Sequence, residues 1–366
     1  MYDQILFPTD GSEPADTVFE YALQIASEHE ATIHILNVAD TSQDSLVRIR
    51  GDVIDVLEQQ GEEIVAEATQ RATERGLSVV SEVLQGDPYK TIIGYSEQSD
   101  IDCIVVPTHG RRGLQRFLLG SVTERVINTA AVPVIAVNPD RDRPLAYPPQ
   151  RILVPTDGSR GADLAVMEGI NAATATGASL HLLHVVETGS LGPDARSVLQ
   201  EGELTDRAHD VIDGASRRAE EASLDPVTSV IEHGEPSKVI RDYIVENGID
   251  LAVLGTHGQT DFSRYVMGGV SAKLVRTSPV PVMWVRESDA DDPADSRVET
   301  LRKDHTPVGF DVGHSLTTRL ELFTQQLFVR YGRARRNELF GSGETGVICT
   351  PHLDRSDITL PTRQYC

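Results

Sequence analysis

One pattern is written twice in this chain, about 147 residues apart, and no other feature narrows its possible folds as much. The first copy opens Ile5-Leu6-Phe7-Pro8-Thr9-Asp10-Gly11-Ser12, the second Ile152-Leu153-Val154-Pro155-Thr156-Asp157-Gly158-Ser159. About 100 residues after each opening comes a Thr-His-Gly loop, then a nine-residue spacer, then another glycine. Repetition at this length means two like domains, each with its own first strand and its own glycine loop. A chain of 366 residues holds both and leaves a remainder.

In the first copy Ile5–Pro8 reads as a strand. Pro14 then stands near the start of a helix whose apolar residues Val18, Ala22, Ile25 and Ala26 recur at helical spacing. Thr32–Val38 is mostly apolar without clean alternation, as a strand covered on both faces requires. A long helix is expected over Ser45–Arg75, closed by Gly76. Leu77–Leu84 is expected as a strand, Pro88–Gln98 as a short helix and Ile101–Val106 as an apolar strand. The loop follows, then a helix over Ser121–Ala130 and a strand over Val134–Val137. The second copy repeats the order, with strands over 151–155, 179–186, 228–232, 251–254 and 280–285 and helices over 162–176, 194–223, 236–247 and 270–277. Strands alternating with helices imply an α/β fold, a doubly wound parallel sheet in each domain. The expected domains are 1–138 and 151–286, joined by a proline- and charge-rich linker over 139–150.

From residue 287 the pattern stops. The last 70 residues carry ten basic and eight acidic side chains, net +2, so the preceding 296 carry −25. For 287–366 the expectation is an acidic linker and an irregular C-terminal tail, with disorder and a partner-binding appendage both open.

The net charge is −23 and only four lysines occur, Lys90, Lys238, Lys273 and Lys303. So acidic a surface disfavours nucleic acid as a partner. With so few lysines it suggests a halophilic protein in a high-salt cytoplasm; an ordinary acidic protein is the alternative. Cys103, Cys349 and Cys366 form no paired motif and fit a reducing compartment. No run reaches the roughly 20 apolar residues of a membrane span, and Met1-Tyr2-Asp3-Gln4 leads directly into a strand. A soluble cytoplasmic protein with no membrane partner is expected.

The chemistry lies in the loop after the fourth strand. It reads Pro107-Thr108-His109-Gly110, nine residues, then Gly120-Ser121-Val122-Thr123; its counterpart reads Gly255-Thr256-His257-Gly258, nine residues, then Gly268-Gly269-Val270-Ser271. The second glycine opens a helix whose first amides and dipole attract an anion. Glycine also lets backbone approach a phosphate. Hydroxyls of Ser121, Thr123 and Ser271 offer further donors. Tight turns alone are the competing explanation, weakened by the recurrence at one spacing. Asp10 and Asp157 end the first strand, facing the crevice where open α/β sheets bind ligands. Each is suited either to a ribose or base contact or to capping the following helix, a task Ser12 and Ser159 would share. His109 and His257 either order the loop or touch phosphate.

With Pro-Thr-Asp-Gly-Ser at the first strand and Gly-x-x-Gly-x9-Gly-Ser/Thr after the fourth, the chain resembles the universal stress protein family over about residues 1–138 and 150–286. The resemblance implies five-stranded domains of the adenine-nucleotide α-hydrolase type that bind ATP, with AMP or ADP and an accompanying Mg2+ in view. It implies that Asp10 and Asp157 lie beside the nucleoside and that the backbones of Val38 and Val185 meet the adenine. By the same resemblance, Gly110, Gly120, Ser121 and Val122 hold phosphates in the first copy. Gly255, Gly258, Gly268, Gly269 and Val270 do so in the second. It implies pairing of the last strands, here within one chain as an intramolecular pseudo-dimer, with further homo-oligomers open. The copies depart from the pattern: Pro107 stands where a glycine belongs and lacks an N–H, and Gly269 replaces a hydroxyl residue. The expected function is a tandem adenine-nucleotide-binding stress protein, a sensor or stabilising factor with slow hydrolysis at most. A hydrolase or nucleotidyl-transferring enzyme on the same fold, and a nucleotide-free interaction protein with degenerate sites, are the alternatives. Neither copy carries a Walker-type Gly-Lys-Ser/Thr ending.

Overall fold

In a computed structural model the described residues are 1–40, 46–49, 52–110, 119–139, 144–187, 201–257 and 268–286, with side chains described except at 46–55 and 201–205. All lie in one compact unit, Met1–Pro293. The tail expected from residue 287 onward and Gly258 fall outside the described residues.

The first copy runs β1 (Gln4–Pro8), α1 (Glu13–His29), β2 (Thr32–Asp40), β3 (Leu46–Ile49), β4 (Asp52–Asp55), α2 (Val56–Glu74), β5 (Val79–Gly86), α3 (Pro88–Gln98), β6 (Cys103–Pro107), α4 (Ser121–Thr129) and β7 (Val134–Val137). The second runs β8 (Arg151–Pro155), α5 (Arg160–Thr176), β9 (Ser179–Glu187), α6 (Glu201–Glu221), β10 (Val227–Gly234), α7 (Pro236–Glu246), β11 (Leu251–Gly255), α8 (Gly269–Thr277) and β12 (Val282–Val285). One ten-stranded sheet has the order β10-β9-β8-β11-β12-β7-β6-β1-β2-β5. Within this sheet the pairing is parallel inside each copy and antiparallel where β12 meets β7, with Met283 opposite Ile135. The expected pairing of last strands therefore occurs inside the chain.

Strand β1 is apolar on both sides because both are covered: Ile5 and Phe7 enter one core and Leu6 the other. The first core holds α1, α2, α5 and α6 against the sheet, with Val18, Val65, Val166 and Ile212 among its residues. The second holds α3, α4, α7 and α8, with Ile92, Val126, Ile240 and Leu274. Each core contains residues of both copies, so the halves share their interior. Tyr2 reaches across to Met283, its hydroxyl 3.9 Å from the sulfur.

The expected helix over 45–75 is corrected. Residues 46–55 form an antiparallel hairpin, Leu46 opposite Asp55, and the helix starts only at Val56. The β-branched Val47, Ile49, Val53 and Ile54 favour extended backbone, and they outweigh the helical spacing of the flanking segment. The helix expected over 194–223 is described only as α6, from Glu201. In the linker, the Tyr147 amide donates to Gln24 Oε1 (2.9 Å) and its hydroxyl lies 2.6 Å from His29 Nε2, fastening the segment to α1.

Candidate functional site

In each copy the strand order reverses between the first strand and the one before the glycine loop, β1 and β6 or β8 and β11. At such a switch point neighbouring loops leave the sheet in opposite directions and open a crevice. In the first copy that crevice is a cavity of about 470 Å3, within the usual range for small-molecule sites of roughly 300–1,000 Å3. Asp10, Val38, Gly110, Gly120, Ser121 and Val122 all line it. These are the six residues that the family resemblance implies for that copy, drawn from three separate strand ends.

Pro-Thr-Asp-Gly-Ser is first of all a strand-to-helix turn. Gly11 takes φ +67°, and a Cβ there would lie 2.6 Å from Ile64 Cγ1. Its amide donates to Thr9 Oγ1 (3.1 Å), and the Ser12 amide donates to Asp10 Oδ1 (3.0 Å). Ser12 is the N-cap of α1, its Oγ accepting from Ala15 N (3.3 Å). The second copy repeats all of it: Gly158 at φ +75°, Asp157 Oδ1 accepting from Ser159 N (2.9 Å), and Ser159 capping Ala162 N (3.2 Å). Capping thus falls to the serines. The other oxygen of Asp10 lies against Gly110, where a Cβ would come within 2.5 Å of Oδ2. The carboxylate and the start of the glycine loop touch where both line the cavity.

The loop is pinned at its base. Gly120 N donates to Thr108 O (2.7 Å) and Thr123 Oγ1 to Pro107 O (2.9 Å). The copy has Gly268 N to Thr256 O (3.0 Å) and Ser271 Oγ to Gly255 O (3.1 Å). The Thr123 and Ser271 hydroxyls, expected as ligand donors, are spent on strand-end carbonyls. This clamp sets α4 and α8 with their first turns at the sheet edge. The amides of that turn have no intrahelical partner, and among the described residues no side chain caps Gly120 or Gly268. His109 is buried, its Nδ1 3.3 Å from Thr108 Oγ1; His257 Nδ1 is 2.8 Å from Thr256 Oγ1. Those contacts match the loop-ordering alternative.

β1 stops at Pro8, paired with Leu36, while β2 continues to Asp40. The Leu36 carbonyl still accepts from Thr9 N (2.9 Å). Along a parallel strand alternate residues present both backbone groups to the same neighbour, so Val38 turns its N–H and C=O toward the space that β1 has vacated. Val185 stands equivalently, two residues after Leu183, whose carbonyl accepts from Thr156 N (2.9 Å). Asn37 and His184 complete this floor and were not foreseen. Asn37 Nδ2 donates to Thr9 O (2.8 Å), and His184 Nδ1 lies 2.8 Å from Thr156 O. Their signal was a polar residue at one place in two apolar strands.

The copies differ at the strand end. A Cβ on Gly255 would lie 2.6 Å from Gly161 O, and one on Gly161 would lie 2.8 Å from His257 O. Backbone of α5 rests directly on the second loop. The first copy has Pro14 and Pro107 at these positions, two rings where the second copy has bare backbone. Helix packing by itself already excludes a Cβ at Gly255. Gly269 has no heavy atom within 4 Å of a would-be Cβ. Among the described residues, no group of three or more His, Cys, Asp or Glu is placed to hold a metal, and no helix is long and apolar enough to cross a membrane.

The sequence model of the Universal stress protein family matches residues 1–138 and again 149–286. A universal stress protein of Methanocaldococcus jannaschii is 35% identical over 140 residues, covering 37% of this chain and 82% of its own. One of Mycobacterium bovis is 30% identical over 241 residues, 63% of this chain and 78% of its own. The crystal structure of a universal stress protein from Archaeoglobus fulgidus superposes with a TM-score of 0.58 at 27% identity, covering 78% of this chain and 98% of that one. Twice matched along its length and shared with relatives in sequence and in fold, the architecture places this chain in the universal stress protein family as a tandem member.

Proposed function

We propose that the first copy binds an adenine nucleotide, ATP foremost, and that the chain acts as a nucleotide-dependent stress sensor or stabilising factor with slow hydrolysis at most. The observation that carries this reading is the cavity at the β1/β6 switch point, where a carboxylate, a free strand edge and the first turn of a helix converge. The Val38 N–H and C=O offer one donor and one acceptor side by side. Adenine presents the complementary pair, N1 accepting and N6 donating; guanine reverses both positions and would leave buried polar groups unpaired. Asp10 is suited to ribose hydroxyls, and the α4 amides to the phosphates. An accompanying Mg2+ would be held by phosphate oxygens and water, in keeping with its preference.

The second copy is proposed as the weaker site. There the backbones of Gly161 and Gly255 meet with no room for a Cβ, where the first copy has two prolines. Titration calorimetry of the full chain with ATP and with GTP tests both statements. One ATP bound per chain with GTP at least tenfold weaker is expected. A chain that takes up no nucleotide at millimolar concentration overturns the reading.

A further inference from the structure

The two helices whose first residues line the first cavity, α3 and α4, carry a feature that the second copy lacks. α3 begins at Pro88, which lines the cavity, and the next residue, Tyr89, packs half-buried on the core face shared with Leu119 and Val122. Two cations gather on its ring: Arg125 Cζ lies 4.8 Å from the centroid and Lys90 Nζ 5.8 Å. Arg125 follows Ser121 by four residues, so it stands one turn up the same face of α4, about 6 Å along the axis. Helical side chains lean toward the N-terminus of their helix. The guanidinium is thereby carried back toward the turn whose amides face the cavity. Among the described residues no carboxylate forms an ion pair with Arg125, and an aromatic face holds it instead.

In the second half Ser237 stands in place of Tyr89, Lys273 in place of Arg125 and Glu235 in place of Asp87. Lys273 Nζ there lies 3.0 Å from Glu235 Oε1, and the Ser237 hydroxyl donates to the same oxygen at 2.5 Å. The Ser237 hydrogen bond and the Lys273 ammonium together hold the Glu235 carboxyl below its usual range. In the second half the carboxylate thus pairs with the cation of α8, whereas in the first Asp87 pairs with Lys90 (3.9 Å) and leaves the exposed Arg125 of α4 on the Tyr89 ring, one turn past the cavity-lining Ser121.

We propose that Arg125, positioned by Tyr89, selects polyphosphate over monophosphate in the first cavity by receiving terminal phosphate oxygens that extend past Ser121 and Val122. The inference rests on the reading of that cavity as a nucleotide site. Guanidinium is suited to the task because its planar fork binds phosphate oxygens in pairs and keeps its charge at every accessible pH. Ring stacking leaves those N–H groups free at the guanidinium edge. In a chain of net charge −23 a polyphosphate meets general repulsion, and a local cation is what offsets it.

Titration calorimetry of the full chain with ATP, ADP and AMP at one ionic strength tests this in the wild type, Arg125→Gln, Tyr89→Phe and Tyr89→Ser. The wild type is expected to prefer ATP to AMP at least tenfold. Arg125→Gln should lose about tenfold in ATP affinity while AMP stays within about twofold. Tyr89→Phe, which keeps an aromatic face, should retain the preference, and Tyr89→Ser should lose much of it. A wild type that binds no nucleotide overturns the site itself. A wild type that binds ATP, with an ATP-to-AMP ratio unchanged in Arg125→Gln or with both nucleotides weakened equally, overturns this inference alone. Thermal unfolding of each variant establishes that it is folded.

Discussion

Alanine at position 120 separates what the fold needs from what a ligand needs. Gly120 has φ −64° and ψ 136°, a conformation open to any residue. A Cβ there would lie 3.4 Å from Thr108 O, 3.5 Å from His109 Cα and 3.6 Å from Thr123 Oγ1, all ordinary contacts. Alanine also keeps the amide that donates to Thr108 O. Reduced freedom of the unfolded chain stabilises the variant by about 0.4–1 kcal/mol. Alanine in place of glycine at an N-cap costs about 0.5–1 kcal/mol. The two nearly cancel, so Tm should move by no more than roughly 2–4 °C. A phosphate seated on the first turn of α4 would meet the new methyl group. Losing one charge-assisted hydrogen bond of about 1.5–3 kcal/mol raises Kd by about 10- to 150-fold. Calorimetric titration with ATP beside differential scanning calorimetry reads both numbers on one sample. An alanine variant whose ATP Kd stays within about twofold of wild type would refute the argument that this glycine exists for ligand approach.

Gly61→Ala should behave oppositely, because its Cβ would meet Asn37 Oδ1 at 2.5 Å and Val83 Cγ1 at 2.9 Å; overpacking should cost about 1–3 kcal/mol in urea unfolding, and an unchanged midpoint would contradict the packing described. Ile135→Ala on β7 should cost about 2–5 kcal/mol and shift the transition reported by the single tryptophan, Trp284 on β12, as much as that seen by far-UV circular dichroism; a tryptophan signal that stays put would mean the halves unfold separately. Burial holds His29, His34 and His181 below the ordinary histidine range. The unfolded chain therefore binds more protons below about pH 6.5, and stability should fall as pH drops through that value toward the lowered folded pKa. Urea midpoints at several pH values read this, and a His34→Gln, His181→Gln double variant should show a shallower decline; equal slopes would rule out the pair as the cause.

The strands were legible because the sheet is covered on both faces, so β1, β2, β6 and β7 stand out as apolar runs between turn residues. The hairpin β3–β4 was missed because its short β-branched run sits inside a segment with helical spacing, and spacing outvoted local preference. At the site, glycine spacing located the loops, because the same spacing recurs after the fourth strand of both copies. The division of labour within Thr9-Asp10-Gly11-Ser12 was less visible. A hydroxyl that caps a helix and one that binds a ligand are the same letter, and only the hydrogen bond from Ala15 N to Ser12 Oγ tells them apart. Arg125 and Tyr89 are distant in sequence and meet only because α3 and α4 start on the same sheet edge.

In an assembly of identical chains, any change at one site is imposed on every copy. Here β7 and β12 belong to one polypeptide, and the seam between halves is closed by residues that mutate independently. The prolines at 14 and 107 could thus be set against the glycines at 161 and 255, and a stacked arginine against a neutralised lysine, without either half consulting the other. With both halves in one polypeptide, the carboxyl ends of their strands, at opposite edges of a common sheet, are at liberty to specialise.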